Sequence, residues 1–180
     1  TSHRESFALP VIGITGSNGK TIVKEWLYNL LRTDFNIVRS PKSYNSQIGV
    51  PLSLWNIREE HQLALIEAGI SLPGEMKKLE AMIHPTTGVF INIGTAHDEN
   101  FTGVDQKVEE KLSLFKGVKT LVYSRDYEAI HNHIQNFRFD RPDISFFTWS
   151  KKSKADLQVG RITKKNDETE IQAVYKDRFI

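Results

Sequence analysis

The stretch Gly13-Ile14-Thr15-Gly16-Ser17-Asn18-Gly19-Lys20-Thr21 lies between two segments of different periodicity, and that position constrains the fold more than any other feature. Before it, Leu9 to Ile14 is a short apolar run in which Val11, Ile12 and Ile14 favour a strand. After it, Ile22, Val23, Trp26, Leu27, Leu30 and Leu31 recur at helical spacing. Glycines, a lysine and a threonine therefore stand where a strand turns into a helix. The first N–H groups of such a helix have no backbone partner, and the helix dipole adds partial positive charge there. Glycines let the backbone approach phosphate oxygens closely. Gly16, Ser17, Asn18, Gly19, Lys20 and Thr21 are thus candidate phosphate binders, with Lys20 for the terminal phosphates and the Thr21 hydroxyl for a magnesium ion.

The spacing is not that of the usual P-loop, which wants glycine where Ile14 stands, one residue after Gly13. Nor is it the dinucleotide fingerprint, which would need glycine at Thr15. A bland alternative is a tight strand-to-helix turn with an incidental Lys-Thr pair.

With 180 residues, 39% hydrophobic and 26% charged, the chain reads as a soluble globular domain with a core, or one domain plus a small appendage. A net charge of +2 gives no reason to expect a nucleic-acid partner. Absence of cysteine excludes disulfides, thiolate metal sites and cysteine nucleophiles, and is consistent with the cytoplasm. No run has membrane-spanning length, and Thr1 to Ser6 is not a signal peptide. The missing initiator methionine leads us to expect a piece of a longer protein.

Along the chain, strands are expected at 36–40, 62–67, 87–94, 119–124 and 143–149. Helices are expected at 52–57 behind Pro51, from the Ser71-Leu72-Pro73-Gly74 cap to Ile83, at 104–115, and from an Asp126 cap to about Phe137. After the basic linker Lys151-Lys152-Ser153-Lys154, residues 155–163 and 168–175 read as two antiparallel strands about an Asn166-Asp167 turn. The alternation predicts an α/β fold: a mostly parallel, doubly wound, P-loop-type sheet flanked by helices, with a C-terminal antiparallel β-hairpin. We expect residues 1–150 to form the core, and residues 151–180 to be a hairpin extension of the same domain.

Ligands in open α/β sheets collect at the carboxyl ends of strands. Glu67 and His97 both follow apolar strands and should meet the phosphate loop along one crevice. Alone, Glu67 reads equally as a magnesium ligand or a helix cap. His97 alone reads as a structural or surface histidine, since magnesium seldom chooses imidazole. Lys111 on the 104–115 helix reads as an ordinary exposed lysine.

Taken together, the motifs resemble the ATP-dependent Mur ligases. Thr15 to Thr21 followed by Lys24-Glu25 is similar to that family's phosphate loop, in which the displaced glycine is normal. The segments 44–51 (YNSQIGVP), 66–69 (IEAG), 92–97 (NIGTAH) and 110–115 (EKLSLF) follow in the family's order. Ala96-His97 and Lys24-Glu25 resemble the D-alanyl-D-alanine-adding branch. Two departures stand out: Ala68-Gly69-Ile70 lacks a usual amide side chain, and Ile22 replaces a common hydroxyl.

The resemblance implies an ATP- and magnesium-dependent carboxylate–amine ligase of peptidoglycan precursor synthesis that works through an acyl phosphate. It implies Lys20 on the transferred phosphate, Thr21 and Glu67 on one magnesium, and Asn45 near the transferred phosphate. His97 would meet a second magnesium together with Lys111, carbamylated by CO2 into an anionic ligand. UDP-MurNAc-peptide and D-Ala-D-Ala would be held by N- and C-terminal domains that this chain is expected to lack, and the parent could be a fusion to an alanine racemase. Other readings left open are another Mur-type ligase, a folylpolyglutamate synthetase, and a non-catalytic nucleotide-binding module.

Overall fold

Strand β1 (Val11–Thr15) lies inside a nine-stranded sheet because its apolar residues are covered on both faces, with Val11 and Ile14 fully buried. The computed structural model describes residues 2–96 and 98–180; His97 lies outside the described residues. Around β1 run β2 (Ile37–Arg39), β3 (Leu63–Glu67), β4 (Thr87–Phe90), β5 (Thr120–Ser124), β6 (Ser145–Ser150), β7 (Leu157–Lys164), β8 (Thr169–Tyr175) and β9 (Arg178–Phe179). The order is β2-β3-β1-β4-β5-β6-β7-β8-β9. Every pairing from β2 to β7 is parallel, and β7-β8-β9 are antiparallel. The C-terminal strands thus continue the main sheet, and they number three where the sequence reading has two.

The helices are α1 (Ser2–Glu5), α2 (Lys20–Leu31), α3 (Gly49–Trp55), α4 (Glu75–Ile83), α5 (Val104–Leu112) and α6 (Glu128–Asp140). Helices α3 to α6 touch in succession and form a layer, while α2 packs on β1, β2 and β3. On α4 and α5 the apolar stripes Met76, Leu79, Ile83 and Val108, Leu112 are buried, as helical spacing requires. Helix α2 differs. Ile22, Trp26 and Leu30 are exposed, and its one fully covered side chain is charged Lys24.

Register sets the site. Ile14 lies beside Glu67 on β3, and Thr15 beside Phe90 on β4. The ends of three adjacent strands therefore open onto one edge, where β1 turns into α2. Strand β4 stops at Phe90, not at residue 94, because Asn92 turns its carbonyl and side chain to the 16–18 loop. Asp126 does not cap α6: Tyr127 holds that position, and the Asp126 carboxylate accepts from the Ser150 hydroxyl and the Lys151 amide. Gly13 lies within β1, where a Cβ would come 2.9 Å from Cβ of Pro85. It is a packing glycine, not a phosphate-loop one.

Candidate functional site

The loop between β1 and α2 takes its shape from Gly19, which caps α2 in the left-handed region at φ 78°. Nothing stands where its Cβ would be, so the helix N-terminus is open to a ligand. Upstream, the Ser17 and Asn18 amides both donate to Asn92 Oδ1, at 3.1 and 3.0 Å, and Asn92 Nδ2 donates back to the Asn18 carbonyl. An amide oxygen at the end of β4 therefore holds two N–H groups of the anticipated phosphate cradle. Lys20 bends over the loop and donates to the Gly16 carbonyl at 2.9 Å. Burial lowers its pKa from the ordinary lysine value, and Glu67 partly offsets that.

Beside the loop, the Thr21 hydroxyl donates to Glu67 Oε2 at 3.1 Å. Glu67 is fully buried and does not cap a helix. Its Oε1 lies 2.8 Å from Lys24 Nζ, an ion pair without hydrogen-bond alignment that leaves this oxygen with no hydrogen-bond partner. Lys24, also fully buried, donates to the Ser40 carbonyl at 2.7 Å and to the Lys42 carbonyl. Ser40 Oγ accepts from the Glu67 amide at 3.1 Å. One ammonium thus ties α2, the loop after β2 and the end of β3.

Asn45 belongs to that same loop, and its carbonyl accepts from the Gly69 amide at 2.8 Å. Its side chain packs where a side chain at Gly69 would be, with Oδ1 3.0 Å from the ideal Cβ position. The absence of a side chain at Gly69 thus leaves room for the Asn45 amide. Lys20, Asn45, Gly69, Glu75 and Lys111 line one cavity of about 130 Å3. Glu75 faces it with a carboxylate that burial pushes up in pKa. Donors from the Ser71 and Leu72 amides and Gln47 outweigh burial and hold it below the usual range.

Lys111 departs most from expectation. It is 4% exposed, and its Nζ lies 3.4 Å from the Gly16 carbonyl. Burial first, then Lys20 and Lys107, lower its pKa to about 7, against a smaller opposing pull from Glu110. Glu110 Oε1 instead accepts the amide of Met76 at 2.9 Å. One turn earlier, Lys107 is equally buried but donates to the Gly94 carbonyl at 2.8 Å and pairs with Asp98.

The structure brings Lys20, Thr21, Glu67, Asn45 and Lys111 to one edge; His97 lies outside the described residues. Among the described residues no group of three His, Cys, Asp or Glu could hold a metal ion. Lys24, Asn92 and Lys107 carry much of the architecture and were assigned no part in it from sequence. The Lys24-Glu25 and Asn92-Ile93-Gly94 segments were visible as motifs. Lys107, at helical spacing from Lys111 in an otherwise polar run, gave no signal.

The Mur ligase middle domain model matches residues 14–180. The UDP-N-acetylmuramoyl-tripeptide--D-alanyl-D-alanine ligase of Bacillus subtilis is 33% identical over 125 residues, 68% of this chain and 27% of the relative. The ligase of that name from Buchnera aphidicola (Acyrthosiphon pisum) is 31% identical over 164 residues, 88% of this chain and 35% of the relative. The structure of MurF ligase from Thermotoga maritima in complex with ADP superposes with a TM-score of 0.87 at 25% identity, over 99% of this chain and 41% of that one. The chain thus spans well under half the length of these relatives.

Proposed function

The chain belongs to the Mur ligase middle-domain family, and on that premise we propose that it is the ATP-binding part of a ligase joining D-Ala-D-Ala to a UDP-MurNAc-tripeptide. The observation that carries this reading is the convergence on Gly16, whose carbonyl lies 2.9 Å from Lys20 Nζ and 3.4 Å from Lys111 Nζ beside the open end of α2. A triphosphate brings about four negative charges, and this is a field that receives them.

In the proposed reaction, a carboxylate oxygen of the peptide attacks the γ-phosphorus of ATP and ADP leaves. The amine of D-Ala-D-Ala then attacks the acyl carbon, phosphate leaves, a proton leaves the nitrogen, and an amide remains. Lys20 stabilises charge spread over the transferred group. Asn45, on the same cavity, orients that group. No covalent enzyme intermediate is required.

The family implies magnesium, and the donors fit it. Thr21 and Glu67 supply a hydroxyl and a carboxylate whose buried Oε1 has no hydrogen-bond partner. When bound, the ion neutralises phosphate charge. Lys111 and His97 would hold a second ion once Lys111 is carbamylated. A pKa of about 7 leaves much of its amine neutral. The nitrogen lone pair adds to the carbon of CO2, one C=O π pair moves to oxygen, and an amine proton leaves, giving an anionic oxygen ligand.

Among the described residues no helix is long and apolar enough to cross a membrane. The reading is of a cytoplasmic enzyme acting on soluble precursors. Calorimetric titration of the 180-residue chain with ATP and magnesium should give weak binding and no ligation. Absence of binding contradicts the nucleotide site, and robust amide formation by this chain alone contradicts the need for further domains. In the full-length parent, comparing D-Ala-D-Ala, glutamate and diaminopimelate as acceptors separates this ligase from other Mur ligases and folylpolyglutamate synthetases.

A further inference from the structure

Helix α5 holds the phosphate loop at two points, and only one of them is Lys111. Lys111 touches the Gly16 carbonyl directly, at 3.4 Å. Lys107, one turn earlier on the same face, reaches the neighbouring residue through an intermediary. Its ammonium is 1% exposed and donates to the Gly94 carbonyl at 2.8 Å. That carbonyl also accepts the Ser17 hydroxyl at 3.2 Å, and the Gly94 amide donates to Ser17 Oγ at 2.9 Å. The second arm of the ammonium is the ion pair with Asp98, whose side chain is 56% exposed. Phe101 closes over it, with the ammonium 5.8 Å from the ring centroid.

A buried ammonium is unfavourable unless its donors are satisfied. Here they are satisfied by the two ends of one short segment, residues 94 and 98. We propose that Lys107 is a positioning residue: it clamps Gly94 and Asp98 to α5 and thereby, through the Gly94–Ser17 pair, fixes the phosphate loop. The inference rests on the proposed nucleotide site only in calling Ser17 part of a phosphate loop; the clamp itself is a property of the free chain.

The test is amide hydrogen exchange on the chain, with wild type, Lys107→Met and Lys107→Arg, followed by titration with ADP and magnesium. Methionine keeps the stem and removes the donors. Exchange should accelerate at least tenfold at the Gly94 and Ser17 amides, while those of Ile12 to Ile14 in β1 stay protected. Affinity for ADP·Mg should fall about tenfold, and arginine should recover part of both. Unchanged exchange at Gly94 and Ser17, or the same acceleration throughout the sheet, overturns the proposal. Should Lys107→Met fail to fold, Asp98→Ala removes the exposed arm alone: faster exchange at Gly94 and Ser17 supports the clamp, and no change overturns it. A wild-type chain that does not bind ADP·Mg counts against the proposed function and leaves the exchange result to decide the clamp.

Discussion

The edge where β3, β1 and β4 end buries charge, and the C-terminal strands at the other end of the same sheet bury almost none. Lys24, Glu67, Lys107 and Lys111 are each at most 4% exposed. In β7 and β8 only Ala173 is buried, and the ion pairs of Lys165 with Glu168 and Glu170 lie at the surface. Burying an ionised group is unfavourable unless partners surround it. A region that buries four has its side chains fixed by electrostatics and hydrogen bonds, whereas the C-terminal strands are held by a backbone ladder that tolerates substitution.

The contrast is broken most severely at Glu67. Glu67→Ala leaves Lys24 buried opposite a vacancy, and urea unfolding should show a loss of about 3–5 kcal/mol. Lys20→Ala should weaken ATP·Mg binding about a hundredfold, roughly 2.7 kcal/mol, with little loss of stability by the same unfolding assay. Lys111 sharpens the comparison with the opposite sign. Because it is buried without a carboxylate partner, Lys111→Met should raise stability at neutral pH by about 1–4 kcal/mol while abolishing ligation by the full-length enzyme.

The pH dependence follows the same residue. The folded pKa is about 7 against an ordinary 10.5, so between those values the unfolded chain binds the additional proton. Stability should rise with pH across that window and gain no slope from this group below about 7. In Lys111→Met the slope is lost. The smallest effect belongs to the C-terminal strands: Gln172→Ala on exposed β8 should change stability by no more than about 0.5 kcal/mol.

These regions were also unequally legible. The junction of β1 and α2 could be read because periodicity changes across it, and the Gly19-Lys20-Thr21 chemistry is local. Strand β3 could be read because an uninterrupted apolar run has few other places to go. Lys111 read as an exposed lysine, because local pattern assigns charges to the solvent face. Its burial depends on residues far away in sequence, among them Gly16, whose carbonyl it meets. Lys24 was hidden the same way, its partners being Ser40, Lys42 and Glu67. The early end of β4 at Phe90 was hidden because Ile91 and Ile93 extend the apolar run while Asn92 takes its bonds elsewhere. The last strand, Arg178–Phe179, is too short to leave a pattern.

The account depends on Lys20, Thr21, Glu67 and Lys111 serving one polyphosphate and its metal. A crystal structure of the chain with magnesium and a non-hydrolysable ATP analogue tests this directly. It should place the terminal phosphate against Lys20 and a metal ion between the Thr21 hydroxyl and Glu67, with Lys111 facing the same phosphate. A nucleotide bound away from Gly16 to Thr21, or a metal ion that does not touch Glu67, would contradict it.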